Sequence, residues 1–250
     1  MKLDKIQYKL KTAKYDAGVT LLTPTGDRPI CMKRAEYYFA RQTYHGPIQW
    51  IIADDGKEAF QSSFPTEGRS SVQIVHQKNK PFGQKARSIT GNLLSTLEWI
   101  KYDKIMIFED DDWYHPEYIQ IMIHRLNVYG LAGEGNAKYY NIKNRTYKIC
   151  GNTKSASLCQ TVFKSSLLPH FYTSLLKRES AFIDSRFWDK DVSKFCFQDR
   201  NYCVGIKGMP GRLGIGMGHR PSKSMKSDKD FKILRQWIPP EDVGFYESLY

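Results

Sequence analysis

The feature that most constrains the fold is an alternation of short apolar runs with helical segments in the first half of the chain. Four runs predict buried strands: residues 19–22, 48–52, 72–75 and 105–108. Apolar residues recur at helical spacing in 34–44 and 84–100, and Pro116 suits the first turn of a helix that should run to about residue 128. Strands that alternate with helices predict an α/β fold with an open, mostly parallel sheet.

Polar residues follow three of these strands at the point where each strand ends. The three segments are residues 23–28, the Asp54-Asp55-Gly56 turn and residues 109–112. In open α/β sheets ligands bind beyond the carboxyl ends of the strands. Any one of these segments is also typical of a simple turn. Because all three should lie at one edge of one sheet, we expect them to form a single site.

Four carboxylates stand in a row at residues 109–112. Like charges at this spacing either raise a pKa or require a cation, and hard oxygen ligands suit Mg²⁺ or Mn²⁺. The alternative is an acidic first helical turn that interacts with the helix dipole. Such a turn needs one or two acids, so four favour a metal site that water and a bound diphosphate would complete.

The segment around this row, IMIFEDDDWYHPEY at 105–118, resembles the DxD region of GT-A glycosyltransferases, especially those of family 2. Residues 19–28, 50–56 and 83–91 are similar to the family's nucleotide loop, its second strand with an Asp pair, and its G-x-x-x-A-R-x-x-G helix start. The likeness covers about residues 17–125 in the right order. It implies a GT-A fold and a hexosyl- or pentosyltransferase that uses Mn²⁺ or Mg²⁺ and a nucleotide-sugar donor, with a UDP-sugar as the default.

The resemblance also implies roles for individual residues. Asp111 aligns with the second Asp of the DxD motif and would bind the metal with Asp112, although Asp110-x-Asp112 fits the motif as well. His219, in a late Gly-rich segment, would complete the metal site or else be structural. The residues implied to bind the donor are Thr23, Pro24, Thr25, Arg28, Asp54, Asp55, Arg87, Glu109 and Asp110.

Transfer with inversion needs a carboxylate that deprotonates the acceptor hydroxyl. The segment 183–191 resembles the acidic segment of the family but lacks its usual Glu-Asp pair. Asp191 is the first candidate for the base and Asp189 the second. The alternative is that both are surface carboxylates that balance the charges of Arg186 and Lys190. Inversion and retention both remain open.

The formal net charge of +12 is concentrated in the second half of the chain. Residues 135–178 and 200–227 contain no acid and carry eight and six basic residues. Cations interleaved with aromatic residues suit phosphate backbones and unstacked bases. We therefore expect DNA as the acceptor, through a hydroxymethylated base of the kind that some bacteriophage enzymes glycosylate. The candidate contacts are Lys138, Lys143, Arg145, Lys148, Arg212, Arg220 and Lys223.

Two other functions remain open. One is a GT-A enzyme of cell-surface glycan or lipid-linked sugar synthesis, whose basic face would meet an anionic membrane. The other is a non-catalytic nucleic-acid-binding module on a GT-A scaffold, against which the retained carboxylates argue. A Rossmann dehydrogenase and a P-loop enzyme are disfavoured, because the sequence lacks G-x-G-x-x-G after the first strand and lacks G-x₄-G-K-[ST].

The sequence also leads to expectations about the domain organisation and the cellular location of the protein. We expect one GT-A domain, with a nucleotide-sugar half at about 17–134, an acceptor half at about 135–228 and a tail at 229–250. No apolar run is long enough to span a membrane, and the N-terminus lacks the apolar stretch of a secretory signal. The five cysteines include no C-x-x-C pair, so free thiols in the cytoplasm are expected.

Overall fold

The computed structural model describes residues 18–68, 70–77, 88–176, 182–214 and 216–250. The strands are β1 (Val19–Thr25), β2 (Ile48–Asp54), β3 (Ser70–His76), β4 (Lys104–Ile107), β5 (Trp113–Tyr114), β6 (Leu131–Glu134), β7 (Lys138–Asn141), β8 (Thr146–Ile149), β9 (Thr161–Lys164), β10 (Lys194–Phe197), β11 (Cys203–Lys207) and β12 (Lys226–Ser227). The helices are α1 (Pro29–Ala40), α2 (Ser88–Thr96), α3 (Tyr118–Leu126), α4 (Leu168–Leu176), α5 (Ile183–Trp188), α6 (Lys232–Trp237) and α7 (Pro240–Glu247).

The main sheet has seven strands in the order β10-β6-β9-β4-β1-β2-β3. Strands β1 to β4 are parallel to one another, β10 is parallel to β6, and only β9 runs against its neighbours. This arrangement confirms the predicted α/β class and its mostly parallel sheet. All four strands predicted from apolar runs are present, at β1, β2, β3 and β4.

Helices cover both faces of this sheet, which explains why its central strands β1 and β2 are buried along their whole length. On one face, α1 begins with Pro29 in its first turn and packs Phe39 on Trp50 of β2, with ring centroids 4.5 Å apart. On the other face, Leu93 of α2 and the following Leu97 are completely buried. The predicted helix at 34–44 therefore starts earlier, where proline favours a first turn, and ends at Ala40.

A second, five-stranded sheet has the order β12-β8-β7-β11-β5. Its edge strand β5 follows directly after the carboxylate row and pairs antiparallel with β11. Residues 138–149 form the β7–β8 hairpin, in which Tyr140 pairs with Tyr147. Because β5 and β11 are neighbours, this sheet brings the second half of the chain against the row.

The C-terminal residues pack back on the first half of the chain as the two helices α6 and α7. The buried Asp242 of α7 accepts a hydrogen bond of 2.6 Å from Trp113 Nε1 and forms an ion pair with Arg34 of α1. Trp113 is the residue directly after the carboxylate row. The tail thereby fixes the strand that follows the row. Within the described ranges, no helix is both long and apolar enough to cross a membrane.

Candidate donor and metal site

A cavity of about 440 Å³ opens at the carboxyl ends of β1 and β4. Its walls combine the end of β1, the carboxylate row and the Gly-rich segment that follows β11. Of the residues predicted for the site, those that line the cavity are Pro24, Thr25, Arg28, Glu109, Asp110, Asp111, Arg212 and His219. Two of the three strand ends thus meet in one place, together with the late histidine.

The nucleotide loop and the carboxylate row are joined by short polar contacts. Thr25 Oγ1 donates a hydrogen bond of 2.6 Å to Asp110 Oδ2. The Arg28 guanidinium lies 2.5 Å from Asp110 Oδ1 and 2.6 Å from Asp111 Oδ2. These residues are adjacent because β1 and β4 are neighbouring parallel strands that end at the same edge. The parallel topology therefore assembles this part of the site.

Other residues predicted to bind the donor lie behind the cavity wall. Thr23 is completely buried and accepts a hydrogen bond of 2.7 Å from Trp50 Nε1. The carboxylate of Asp54 accepts hydrogen bonds of 2.8 Å from the main-chain N–H groups of Gly56 and Phe60, which fixes the turn after β2. Asp55 forms an ion pair with Arg212, and Arg87 lies outside the described residues.

Lys207, which is not among the residues predicted from the sequence, lies at the centre of the site. It is the last residue of β11, and its ammonium is 2.9 Å from Asp111 Oδ1, 2.7 Å from Asp112 Oδ1 and 3.8 Å from Glu109 Oε2. Only 3% of the residue is exposed. A lysine that ends the apolar run at 202–206 was the available signal, since buried lysines are almost always paired.

The charges of the site are strongly coupled. Burial opposes ionisation of Asp111, but the neighbouring Lys207 and Arg28 outweigh it and hold the pKa of Asp111 well below its usual range. Burial and repulsion from Asp112 raise the pKa of Glu109 to about 8, although Lys207 opposes this shift. Asp111 is thus ionised near neutral pH, whereas Glu109 retains its proton.

His219 stands beside the ionised carboxylate. Its Nε2 is 3.4 Å from Asp111 Oδ2, and burial lowers the pKa of the imidazole to about 4 despite the attraction of Asp111. Neutral imidazole is the form that binds metals. A Cβ atom on Gly214 would lie 2.2 Å from His219 Nε2, so only glycine leaves room for this ring.

These residues fit a divalent cation of the kind that the fold implies. Glu109, Asp111 and Asp112 each place an oxygen within 4.8 Å of the others. Asp111 Oδ2 and His219 Nε2 have a separation close to that of two ligands on one ion. Asp112 Oδ1 accepts a hydrogen bond of 3.1 Å from the Ile206 N–H and another from Lys207, whereas its buried Oδ2 has no hydrogen-bond partner.

The two predicted bases are not brought to the cavity. Asp189 and Asp191 are exposed beyond the end of α5. Asp184, in the first turn of α5, lines the cavity instead, and burial raises its pKa. The sequence alone does not distinguish Asp184 from Asp189 and Asp191, because the position at which the short helix α5 begins decides which carboxylate faces the cavity.

The predicted nucleic-acid contacts separate into two groups. Arg212 belongs to the donor side through Asp55, and Lys138 donates a hydrogen bond to Asn201. Arg145 lies 5.0 Å from the centre of the Phe231 ring. The remaining cations surround strand β8, where Lys148 Nζ is 3.2 Å from Ser224 Oγ and Lys226 pairs with Tyr147. We call the cations here the basic face: the half-buried Lys148 and the exposed Arg220, Lys223 and Lys226.

Comparison with known proteins defines the class of the fold. Neither a known family model nor a curated protein sequence matches the chain. Among solved structures the chain is similar to S. aureus TarS, a GT-A-type glycosyltransferase, with a TM-score of 0.54 and 7% identity over 76% of this chain and 36% of TarS. The chain therefore has a GT-A fold, as the resemblance implied.

Structures of residues 1–349 of TarS give the same result. The chain matches one of them with a TM-score of 0.54, 10% identity and coverage of 76% of this chain and 60% of that one. It matches the complex of TarS 1–349 with UDP-GlcNAc with a TM-score of 0.53, 9% identity and coverage of 82% and 62%. The chain thus spans less than two thirds of the length of these structures.

Proposed function

We propose that the chain is a glycosyltransferase that moves a sugar from a nucleotide-sugar donor to a hydroxyl group. The observation that carries this proposal is the meeting of Arg28, the carboxylate row and His219 in one cavity at the carboxyl edge of a GT-A sheet. A UDP-sugar is favoured, because the structurally similar TarS has been crystallised with UDP and with UDP-GlcNAc.

On the donor side, Asp111 and His219 would hold Mn²⁺ or Mg²⁺, with Glu109 facing the same cavity. The ion would supply positive charge to the diphosphate as it leaves. Arg28 and Lys207 also line the cavity and add fixed positive charge. Charge placed in advance where negative charge develops is among the strongest ways to accelerate such a step.

On the acceptor side, Asp184 is the general base. The acceptor oxygen forms its bond to the sugar carbon as the bond from that carbon to the diphosphate breaks, and the hydroxyl proton passes to the Asp184 carboxylate. The raised pKa of Asp184, which burial causes, makes this carboxylate a stronger base than an exposed one. Single displacement of this kind inverts the configuration at the sugar carbon.

We propose DNA with a hydroxymethylated base as the acceptor. The basic face is next to the mouth of the cavity, since Cys150 follows β8 and its Sγ is 3.7 Å from Sδ of Met217, a cavity residue. Phe182, Leu213 and Met217 line the cavity and are 55%, 54% and 43% exposed. Cations beside exposed apolar side chains suit a phosphate backbone with one unstacked base.

The test of the function is a donor screen with Mn²⁺ that measures nucleotide release. We expect one UDP-sugar to be hydrolysed slowly alone and to be transferred faster when hydroxymethylated duplex DNA is added. Parallel arms contain unmodified DNA and vesicles with polyprenyl phosphate. Stimulation by the vesicles alone would replace DNA with a lipid-linked acceptor, and no release from any nucleotide sugar would overturn the enzymatic proposal.

Charge reversal on the basic face tests the DNA proposal separately. Lys148→Glu with Lys223→Glu should weaken DNA binding and reduce the slope of its salt dependence by roughly two, because about two phosphate contacts are lost. Donor hydrolysis should be unchanged. The matched control, Lys101→Glu with Lys164→Glu, changes charge at the amino-terminal edge of the sheet, near the start of β4. Equal DNA affinity in both variants would argue against the basic face.

A further inference from the structure

The carboxylate row is already bound by two cations of the protein. Lys207 holds Asp111 Oδ1 and Asp112 Oδ1, and Arg28 holds Asp111 Oδ2 and Asp110 Oδ1. Both oxygens of Asp111, the best-placed metal ligand, therefore have a partner. A divalent cation that arrives at this carboxylate must compete with an ammonium and a guanidinium that are less than 3 Å away.

The row is nevertheless not fully neutralised. Four acidic side chains, at residues 109–112, face two fixed cations, Lys207 and Arg28. The row therefore has more carboxylates than basic partners, so it can still accept the positive charge of a divalent ion. The site has the charge for the ion, but the ligand atoms of Asp111 are shared with Lys207 and Arg28.

We propose that Lys207 is a positioning residue that keeps the affinity of the carboxylate row for a divalent cation low until the diphosphate of the donor is bound. This inference rests on the proposed function. A diphosphate in the cavity offers Lys207 and Arg28 other anionic partners and offers the ion further oxygen ligands. Donor and ion then bind cooperatively, and each raises the affinity of the site for the other by the same factor.

The first experiment uses the unmodified chain and measures Mn²⁺ binding by electron paramagnetic resonance. We expect UDP to tighten Mn²⁺ binding by about tenfold or more, and Mn²⁺ to tighten UDP binding by the same factor. Equal Mn²⁺ affinity with and without UDP would overturn the inference and leave the proposed function standing. Failure to bind UDP even with Mn²⁺ would instead count against the proposed function, and the inference would fall with it.

The second experiment removes the ammonium while retaining the length of the side chain. Lys207→Met should bind Mn²⁺ without UDP about tenfold or more tightly than the unmodified chain, because a positive charge next to two candidate ligands is gone. Lys207→Arg should retain the weak binding. Lys194→Met removes a lysine that binds two main-chain carbonyls near the sheet edge and should change nothing.

A purely structural role for Lys207 predicts the opposite result, since a loosened row would bind Mn²⁺ less tightly. Thermal unfolding of each variant establishes that it is folded before its affinity is compared. A folded Lys207→Met variant with equal or weaker Mn²⁺ binding would overturn the inference. If this variant does not fold, the Mn²⁺ affinity of the unmodified chain with and without UDP still tests the inference.

Discussion

Replacement of Asp111 by Asn is expected to reduce both donor hydrolysis and sugar transfer by about a hundredfold or more. Asp111 is the carboxylate on which Lys207, Arg28 and His219 converge, and the two cations hold its pKa well below the usual range even though burial opposes ionisation. The amide removes the negative charge and one metal-binding oxygen. Nucleotide release, measured over a range of Mn²⁺ concentrations, reports the loss.

The matched control is Asp189→Asn, which makes the same chemical change at an exposed position outside the cavity. It should leave nucleotide release within a factor of about two, since surface substitutions away from a site have small effects. Nearly full release by a folded Asp111→Asn variant would show that the row does not hold the donor.

Replacement of Asp184 by Asn is expected to lower the rate of transfer by about a hundredfold to ten-thousandfold, the usual contribution of a general base. UDP and Mn²⁺ binding should remain, because Asp184 has no contact with the carboxylate row among the described interactions. The measurement is the transfer rate at saturating donor, with UDP affinity determined in parallel. This combination separates loss of the base from loss of the donor site.

The pH dependence gives a second readout for Asp184. Because burial raises its pKa, the carboxylate is protonated over a wider range than an exposed Asp, and only the ionised form accepts a proton. Transfer by the unmodified chain should therefore fall as pH decreases through this raised pKa. The Asn variant should lose that part of the pH profile.

Asp191→Asn tests the base predicted from the sequence. We expect it to be nearly as active as the unmodified chain, since Asp191 is exposed and does not line the cavity. If transfer were lost in Asp191→Asn and retained in Asp184→Asn, the base would be the one that the sequence predicted, and the inferred role of Asp184 would be wrong.

The parts of the site that lie at strand ends could be predicted from the sequence. Residues 19–22 and 105–108 are apolar because both faces of the sheet are covered, and the polar residues that follow them mark the carboxyl edge. Parallel pairing of β1 and β4 then places Arg28 beside Asp110. His219 was predicted only through the resemblance, and the structure places it against Asp111.

The second half of the chain was less predictable, because its strands are short and belong to two sheets. In the sequence, the antiparallel strand β9 and the β7–β8 hairpin appear only as general strand-like patterns. Net charge located a basic half but could not distinguish Arg212, which pairs with Asp55, from Lys148, which lies on the basic face. A count of charges does not say which cations are already paired inside the protein.

By itself, the sequence determined the fold class and the edge of the sheet at which the site lies. The pattern of apolar residues and the ends of the strands are local properties of the sequence. The four consecutive acids at residues 109–112 can likewise be read directly from it. Only the tertiary structure decided which cations meet those acids and which carboxylate faces the cavity. Lys207 is 96 residues from Asp111, and their contact exists because β11 pairs with the strand that follows the row. The same lysine on an unpaired strand would be one more exposed charge, whereas here it shares the carboxylates that would bind the metal.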